Sequence, residues 1–144
     1  MILPEEMEGV ARRAAREADD DVADILEAES AKGAFPFVLH CFTAGPELAR
    51  RALALGGYIS FSGVLTFKNS TALREIAAGV PADRMLVETD APFLTPHPYR
   101  GQPNQSYCLP YTARALAAVR GVADEEMARI LGANARRVYG IPLP

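Results

Sequence analysis

The sequence predicts an α/β fold built from parallel βαβ units. Apolar segments of strand length alternate strictly with helical segments along the 144 residues, and this alternation is typical of parallel strands joined by helical crossovers. The strand segments are apolar on both faces, as expected where helices cover both sides of a sheet. About three such strands are visible, whereas a closed eight-stranded barrel of this class requires about 250 residues.

The composition indicates a folded globular domain, with 49% apolar and 23% charged residues. The net charge of −3 gives no general attraction to a polyanion, so any phosphate recognition has to be local. The amino terminus has no signal-peptide pattern and no apolar run is long enough to cross a bilayer, so we expect a cytoplasmic protein without a membrane partner. Cys41 and Cys108 lack metal-type spacing and are expected to be reduced thiols.

The first third of the chain predicts helix, strand and helix. Residues 1–16 are rich in Glu, Arg and Ala, and residues 18–32 place Val22, Ile25 and Leu26 at helical spacing. Residues 35–42 form a short apolar run that is typical of a buried strand. Pro46 is a favourable first-turn residue of the next helix, whose buried stripe is predicted to comprise Leu48, Ala52, Leu53 and Leu55.

The remaining elements continue the alternation. Residues 58–62 predict a second strand, and a helix with Leu73, Ile76 and Ala77 facing inward extends to Pro81. Residues 85–89 predict a third strand. Residues 92–104 are rich in proline, which interrupts helices and central strands, and therefore predict a long ordered loop. Two final helices are expected at 109–120 and 124–138, separated by Gly121.

Polar side chains follow the predicted strands at their carboxyl ends, namely His40, Ser60, Ser62, Glu88 and Asp90. Ligands of parallel α/β folds bind at this edge of the sheet. Imidazole and carboxylate together suit Mg, Mn or Zn. Each residue taken singly also has a structural interpretation, as a backbone-bonded histidine, a turn-forming aspartate or a strand-end serine. The pattern therefore leaves a metal site and a set of polar strand ends as alternatives.

Four segments distinguish these alternatives. Residues 38–43 read VLHCFT; residues 57–63 read GYISFSG and are followed by TFK at 66–68; residues 84–92 read RMLVETDAP; and residues 99–101 read YRG, with Asn104 after them. In order and spacing, these segments resemble the C-terminal part of the TatD-type metal-dependent hydrolases, a deoxyribonuclease family. The resemblance covers residues 16–140, whereas residues 1–15 are unlike the family.

The resemblance implies one domain over residues 1–144, forming the C-terminal part of a TIM-type (β/α)8 barrel that is incomplete. It implies that His40 and Asp90 bind metal and that Asp90 is also catalytic, because a metal-bound carboxylate helps to activate the attacking water. Glu88 is expected to be structural. Arg100 and Asn104 are expected to bind substrate, and a loop held together by polar contacts is the alternative for both.

The implied cofactors are divalent metal ions (Mg, Mn or Zn), two of them in a full-length relative. The family's His-x-His pair has no counterpart here, so metal binding by this chain is expected to be weak or absent. The implied function is phosphodiester hydrolysis with DNA as substrate. The alternative is a truncated, catalytically inactive remnant or interaction module. A nucleotide-binding domain is disfavoured because neither G-x-G-x-x-G nor a P-loop occurs. Exposed sheet edges predict self-association.

Overall fold

The computed structural model describes the backbone of residues 5–142 and the side chains of residues 18–142. Its three strands form an open sheet in the order β1-β2-β3, and both pairs are parallel. The predicted parallel α/β architecture is therefore confirmed. The strands are β1 Val38–Leu39, β2 Tyr58–Phe61 and β3 Met85–Val87, and the helices are α1 Glu5–Lys32, α2 Pro46–Ala54, α3 Thr71–Gly79, α4 Leu109–Arg120 and α5 Asp124–Tyr139.

The strands are shorter than predicted because the chain turns sharply after β1 and β3. Cys41 has a φ of 49° and Asp90 a φ of 55°, and neither conformation continues a strand. Main-chain bonding nevertheless runs past the regular strands, since the Phe42 N–H donates to the Ser60 carbonyl and the Glu88 N–H donates to the Phe61 carbonyl, both at 2.9 Å. The three strands consequently end at a common edge.

Helix α1 is continuous where the sequence suggested two helical segments. The sequence analysis separated residues 1–15 from the family-like residues 16–140. That boundary falls where the structure describes the backbone but not the side chains, and residues 1–4 lie outside the described residues altogether. Ala23 is buried, whereas Val22 and Ile25 remain exposed. Two polar contacts hold α1 to α2: the Gly45 N–H donates to Asp19 at 2.9 Å, and the Arg51 guanidinium bonds Asp24 and Glu27.

The core lies between the sheet and the covering helices. In α2 the buried stripe comprises Leu48, Ala49 and Ala52, while Leu53 and Leu55 are only partly buried. In α3, Leu73 and Ala77 are buried as predicted and Ile76 is half-buried. Both final helices match their predicted positions, and Gly121 ends α4 at a φ of 65°, a conformation that glycine adopts without strain.

Residues 92–104 contain neither helix nor strand, which confirms the predicted loop. The loop packs directly on the backbone at the end of β2. A Cβ atom placed on Gly63 would lie 2.0 Å from the Leu94 carbonyl oxygen and 3.0 Å from the Pro96 nitrogen. Thr66 adds a polar contact by accepting the His97 N–H at 2.9 Å. The loop is therefore held against the carboxyl edge of the sheet.

Within residues 5–142, no helix combines the length and the apolar composition that crossing a membrane requires.

Replacing Gly63 by alanine is expected to destabilise the fold, because the new methyl group meets main-chain atoms that have no rotamer to change. We expect the free energy of unfolding to fall by about 1–3 kcal/mol or more. Gly132→Ala in α5 is the matched control, since its Cβ would meet nothing within 4 Å, and it should stabilise by about 0.5–1 kcal/mol. Urea denaturation followed by circular dichroism measures both, and equal stabilities for the two variants would contradict the packing described above.

We propose that copies of the chain associate through the edges of this sheet. Within the described residues, β1 and β3 each pair with β2 only, and an unpaired strand edge is a template for further pairing. Size-exclusion chromatography with light scattering should give a molecular mass above that of one chain. This measured mass should decrease as the protein is diluted. A single-chain mass across the accessible concentrations would contradict association.

Candidate metal centre

The carboxyl edge of the sheet brings distant parts of the chain together. The register pairs Leu39 with Ile59, and Ile59 with Met85, so the residues that follow β1 and β3 lie at the same edge. Three potential ligand atoms meet there, the Cys41 sulfur and one carboxylate oxygen each from Glu88 and Asp90, all within 4.8 Å of one another. We call these three residues the edge cluster.

Glu88 connects the ends of the two outer strands. Its Oε2 accepts the Cys41 N–H at 2.9 Å, and its Oε1 lies 3.4 Å from His40 Nδ1. The Glu88 side chain is 21% exposed, whereas that of His40 is 78% exposed. When the His40 proton is on Nδ1, that nitrogen donates to Glu88 and leaves Nε2 as the acceptor, the arrangement that orients a histidine towards a metal.

Positive φ angles at Cys41 and Asp90 shape the edge cluster. At the turn after β1 the Cys41 N–H donates to Glu88 Oε2, and His40 Nδ1 lies 3.4 Å from Glu88 Oε1. Such conformations are uncommon for residues other than glycine and tend to occur at functional sites.

The Cys41 thiol is held in its neutral form. Burial is the main cause that raises its pKa, and the nearby carboxylates of Asp90 and Glu88 raise it further, while a hydrogen bond with the Ser62 hydroxyl at 3.5 Å lowers it. The thiol is therefore protonated near neutral pH. Cys41 and Cys108 are both free, in agreement with the expected reduced state.

The donor set fits a divalent cation. Carboxylates suit hard ions such as Mg and Mn, and imidazole and thiolate are ligands that Zn accepts as well. A cation at the edge cluster would also reduce the repulsion between the Glu88 and Asp90 carboxylates. In the part of the chain that the structure describes, His40 is the only basic side chain within ion-pair distance of either carboxylate. The chemistry of these side chains thus supports a metal centre.

The sequence placed His40 and Asp90 in one metal site, and both lie beside Glu88 in the fold. Their direct role in metal binding stays a prediction. Cys41 was not expected to contribute, because it was judged by its spacing from Cys108. The signal that identifies Cys41 is its position directly after His40 at the end of a strand. Glu88, expected to be structural, both holds the backbone at Cys41 and offers an oxygen to the edge cluster.

Asn104 is built into the loop. Its side chain is buried, with 1% of the residue exposed. The Nδ2 group donates to the carbonyls of Thr89 and Phe93, and Oδ1 accepts the Gln105 N–H at 2.9 Å. An amide nitrogen has two donors, and both are occupied. Substrate binding by Asn104 stays untested, and these bonds favour the alternative of a loop held by polar contacts.

Arg100 is exposed but held in place. Its guanidinium carbon lies 3.9 Å from the centre of the Phe67 ring, and Nη1 donates to the Thr95 carbonyl at 3.1 Å. Stacking on an aromatic face restrains the guanidinium plane while its charge is retained. The hydrogen bond to Thr95 uses one of five N–H donors, so donors remain for an anionic ligand.

The chain matches the family model described as "TatD related DNase" over residues 14–140. It is 48% identical over 126 residues to a protein of Mycobacterium tuberculosis named uncharacterized metal-dependent hydrolase TatD, covering 88% of this chain and 47% of that protein. It is 42% identical over 126 residues to the uncharacterized metal-dependent hydrolase YabD of Bacillus subtilis, covering 88% and 49%. The chain thus spans about half the length of these curated relatives.

Solved structures show the same architecture. The crystal structure of YjjV, a TatD homolog from Escherichia coli, superposes with a TM-score of 0.77 and 27% identity over 86% of this chain and 47% of that one. A hydrolase of the TatD family from Entamoeba histolytica has a TM-score of 0.71 at 16% identity, covering 83% and 46%. At 16% identity, the similarity to the Entamoeba histolytica protein supports only the shared fold.

Two substitutions of Glu88 isolate its hydrogen bond to Cys41. Both Glu88→Gln and Glu88→Ala remove the charge, but only glutamine keeps an acceptor for the Cys41 N–H. We expect Glu88→Ala to be less stable than Glu88→Gln by about 1–3 kcal/mol, the usual cost of an unsatisfied polar group that is shielded from water. Urea denaturation without metal measures the difference. Glu75→Ala, at an exposed site on α3, should change stability by less than about 0.5 kcal/mol, and equal stability of the two Glu88 variants would contradict the bridging role.

Proposed function

Because the chain belongs to the family of TatD related DNases, we propose that it takes part in metal-dependent hydrolysis of phosphodiester bonds in DNA. The observation that carries this proposal is the edge cluster, in which Cys41, Glu88 and Asp90 offer ligand atoms within 4.8 Å of one another. His40 adjoins it through Glu88. These donors converge at the sheet edge where parallel α/β folds bind their ligands.

His40, Asp90 and Glu88 are the residues that would hold a divalent ion. Cys41 would add a ligand for Zn only on losing its proton, since the thiolate is the form that binds metal. When bound, the ion lowers the pKa of water and neutralises charge on phosphate oxygens. Asp90 is proposed as the catalytic carboxylate that accepts the proton of the attacking water. Glu88 orients His40 through Nδ1 and fixes the backbone at Cys41.

Arg100 is proposed to bind the phosphate next to the scissile bond. Its guanidinium is restrained by Phe67 and Thr95 and retains donors for a phosphodiester oxygen. This local cation compensates for the net charge of −3, which does not attract nucleic acid over the surface as a whole. Asn104 is proposed to act indirectly, by holding the loop that carries Arg100.

The proposal is tested with the purified chain, a fluorescent DNA oligonucleotide and Mg, Mn or Zn. Asp90→Asn and His40→Ala should each reduce hydrolysis by about 100-fold or more, since they remove the proton acceptor and a metal-binding imidazole. Binding of Mn, measured by calorimetry, should weaken in the same variants, which gives a readout independent of turnover.

His97→Ala is the matched control, because His97 is the only other histidine, is exposed, and contacts Thr66 through its backbone N–H. It should retain both activity and metal binding. Activity that survives Asp90→Asn and His40→Ala would indicate a contaminating nuclease. Absence of both hydrolysis and metal binding in the unaltered chain would favour the non-enzymatic alternative.

A further inference from the structure

An apolar groove runs between α4 and α5, beside β3. It has a volume of about 560 Å³. Its lining includes Val87 from β3, Leu109 and Ala113 from α4, and Ala128 and Gly132 from α5. An exposed apolar surface of this kind is typical of a place where another molecule packs. We call it the α4–α5 groove.

Helix α1 carries an apolar ridge at the other end of the helix layer, in which α1 packs mainly against α2, α3 against α4, and α4 against α5. Val22 is 40% exposed and Ile25 is 63% exposed. Asp24 and Glu27 face α2, where they bond Arg51. The helical period of 3.6 residues places Val22 and Ile25 on a different side of α1. We call these two residues the α1 ridge.

The α1 ridge and the α4–α5 groove are complementary in shape and in charge. Ala128 and Gly132 are small, so the groove can receive the branched side chains of the ridge. Residues 18–32, which contain the ridge, carry six acidic side chains and one basic side chain, whereas residues 109–139 of α4 and α5 carry five arginines and three acidic side chains. Opposite net charges favour contact of ridge with groove and disfavour contact between like surfaces.

We propose that a second copy of this chain occupies the α4–α5 groove, with the α1 ridge of each copy seated in the groove of the other. A two-fold axis relates the two contacts, so the dimer is closed and covers both ridges and both grooves. Unpaired strand edges by themselves predict association but not which surfaces meet, and the ridge and groove specify these surfaces. The inference does not depend on the metal centre or on the proposed function.

The length of the chain favours a second copy as the occupant. About as much chain again lies outside the matched part of the curated relatives, so one further copy supplies a comparable amount of covering chain. An open row of copies would leave a ridge uncovered at one end and a groove uncovered at the other, whereas a closed pair leaves neither. Two copies are therefore the smallest assembly that covers both apolar surfaces.

The experiment measures the dissociation constant of the dimer by analytical ultracentrifugation. The unaltered chain should approach twice the 15.5 kDa of one chain as its concentration rises. Ile25→Glu places a charge on the ridge and Ala128→Lys places one in the groove. Each should raise the dissociation constant about tenfold or more, because a buried charge without a partner is costly and each dimer contains the altered contact twice. Both positions are exposed in the single chain, so circular dichroism should show an unchanged fold.

Ala28→Glu on α1 and Ala118→Lys on α4 are the matched controls. Both alanines are exposed, and they lie outside the ridge and the groove lining. These variants add the same charges to the same pair of helix layers. Since surface substitutions away from a contact have small effects, the dissociation constant should stay within about twofold of that of the unaltered chain.

An equal mixture of Ile25→Glu and Ala128→Lys distinguishes this dimer from pairing through strand edges alone. In a mixed dimer, the unaltered ridge of one chain enters the unaltered groove of the other. The second contact brings the introduced carboxylate and the introduced ammonium together, so neither charge lacks a partner. At the same total protein concentration, the mixture should therefore contain more dimer than either variant alone.

Three results would overturn the inference. The first is an equal dissociation constant for the unaltered chain, Ile25→Glu and Ala128→Lys. The second is a mixture that contains no more dimer than the separate variants. The third is a single-chain mass of the unaltered chain at every accessible concentration, which would assign the groove to a different partner.

Discussion

The carboxylate of Glu88 connects the two outer strands at the carboxyl edge of the sheet. It extends from the end of β3 past the central strand, accepts the Cys41 N–H and contacts His40 Nδ1. One carboxylate thus contacts both the turn after β1 and the His40 ring. The outer strands β1 and β3 do not pair with each other. The Glu88 contacts therefore join potential metal ligands that follow two separate strands.

The second constraint is the close contact between the proline-rich loop and the end of β2. The absence of a side chain at Gly63 lets the Leu94 carbonyl approach the strand end. Asn104 then fixes the loop from within by bonding three main-chain groups. These buried contacts hold in place the loop that carries Arg100, whose guanidinium lies against Phe67 and bonds the Thr95 carbonyl. The buried contacts of the loop thus determine the positions of its exposed side chains.

Family membership and geometry contribute different information. The likeness to TatD related DNases over residues 14–140 identifies the group of proteins to which this fold belongs. The chain corresponds to about half of the length of its curated relatives, so the activity proposed for it rests on the residues that it contains. Those residues include two carboxylates, a thiol and an imidazole gathered at one edge, a donor set that suits a divalent cation.

The sequence by itself determined the parallel α/β order, the final two helices and the segments that identify the family, because periodicity, capping glycines and motif spacing are local properties. It also placed His40 and Asp90 at strand ends. It did not reveal the contribution of Cys41, since the sulfur of that residue meets the Glu88 and Asp90 carboxylates only when the ends of two separate strands are brought together. Only the tertiary structure decided the contacts of Glu88 and the burial of Asn104. Glu88 accepts a backbone N–H at the end of another strand, and Asn104 donates to carbonyls more than ten residues away in the sequence.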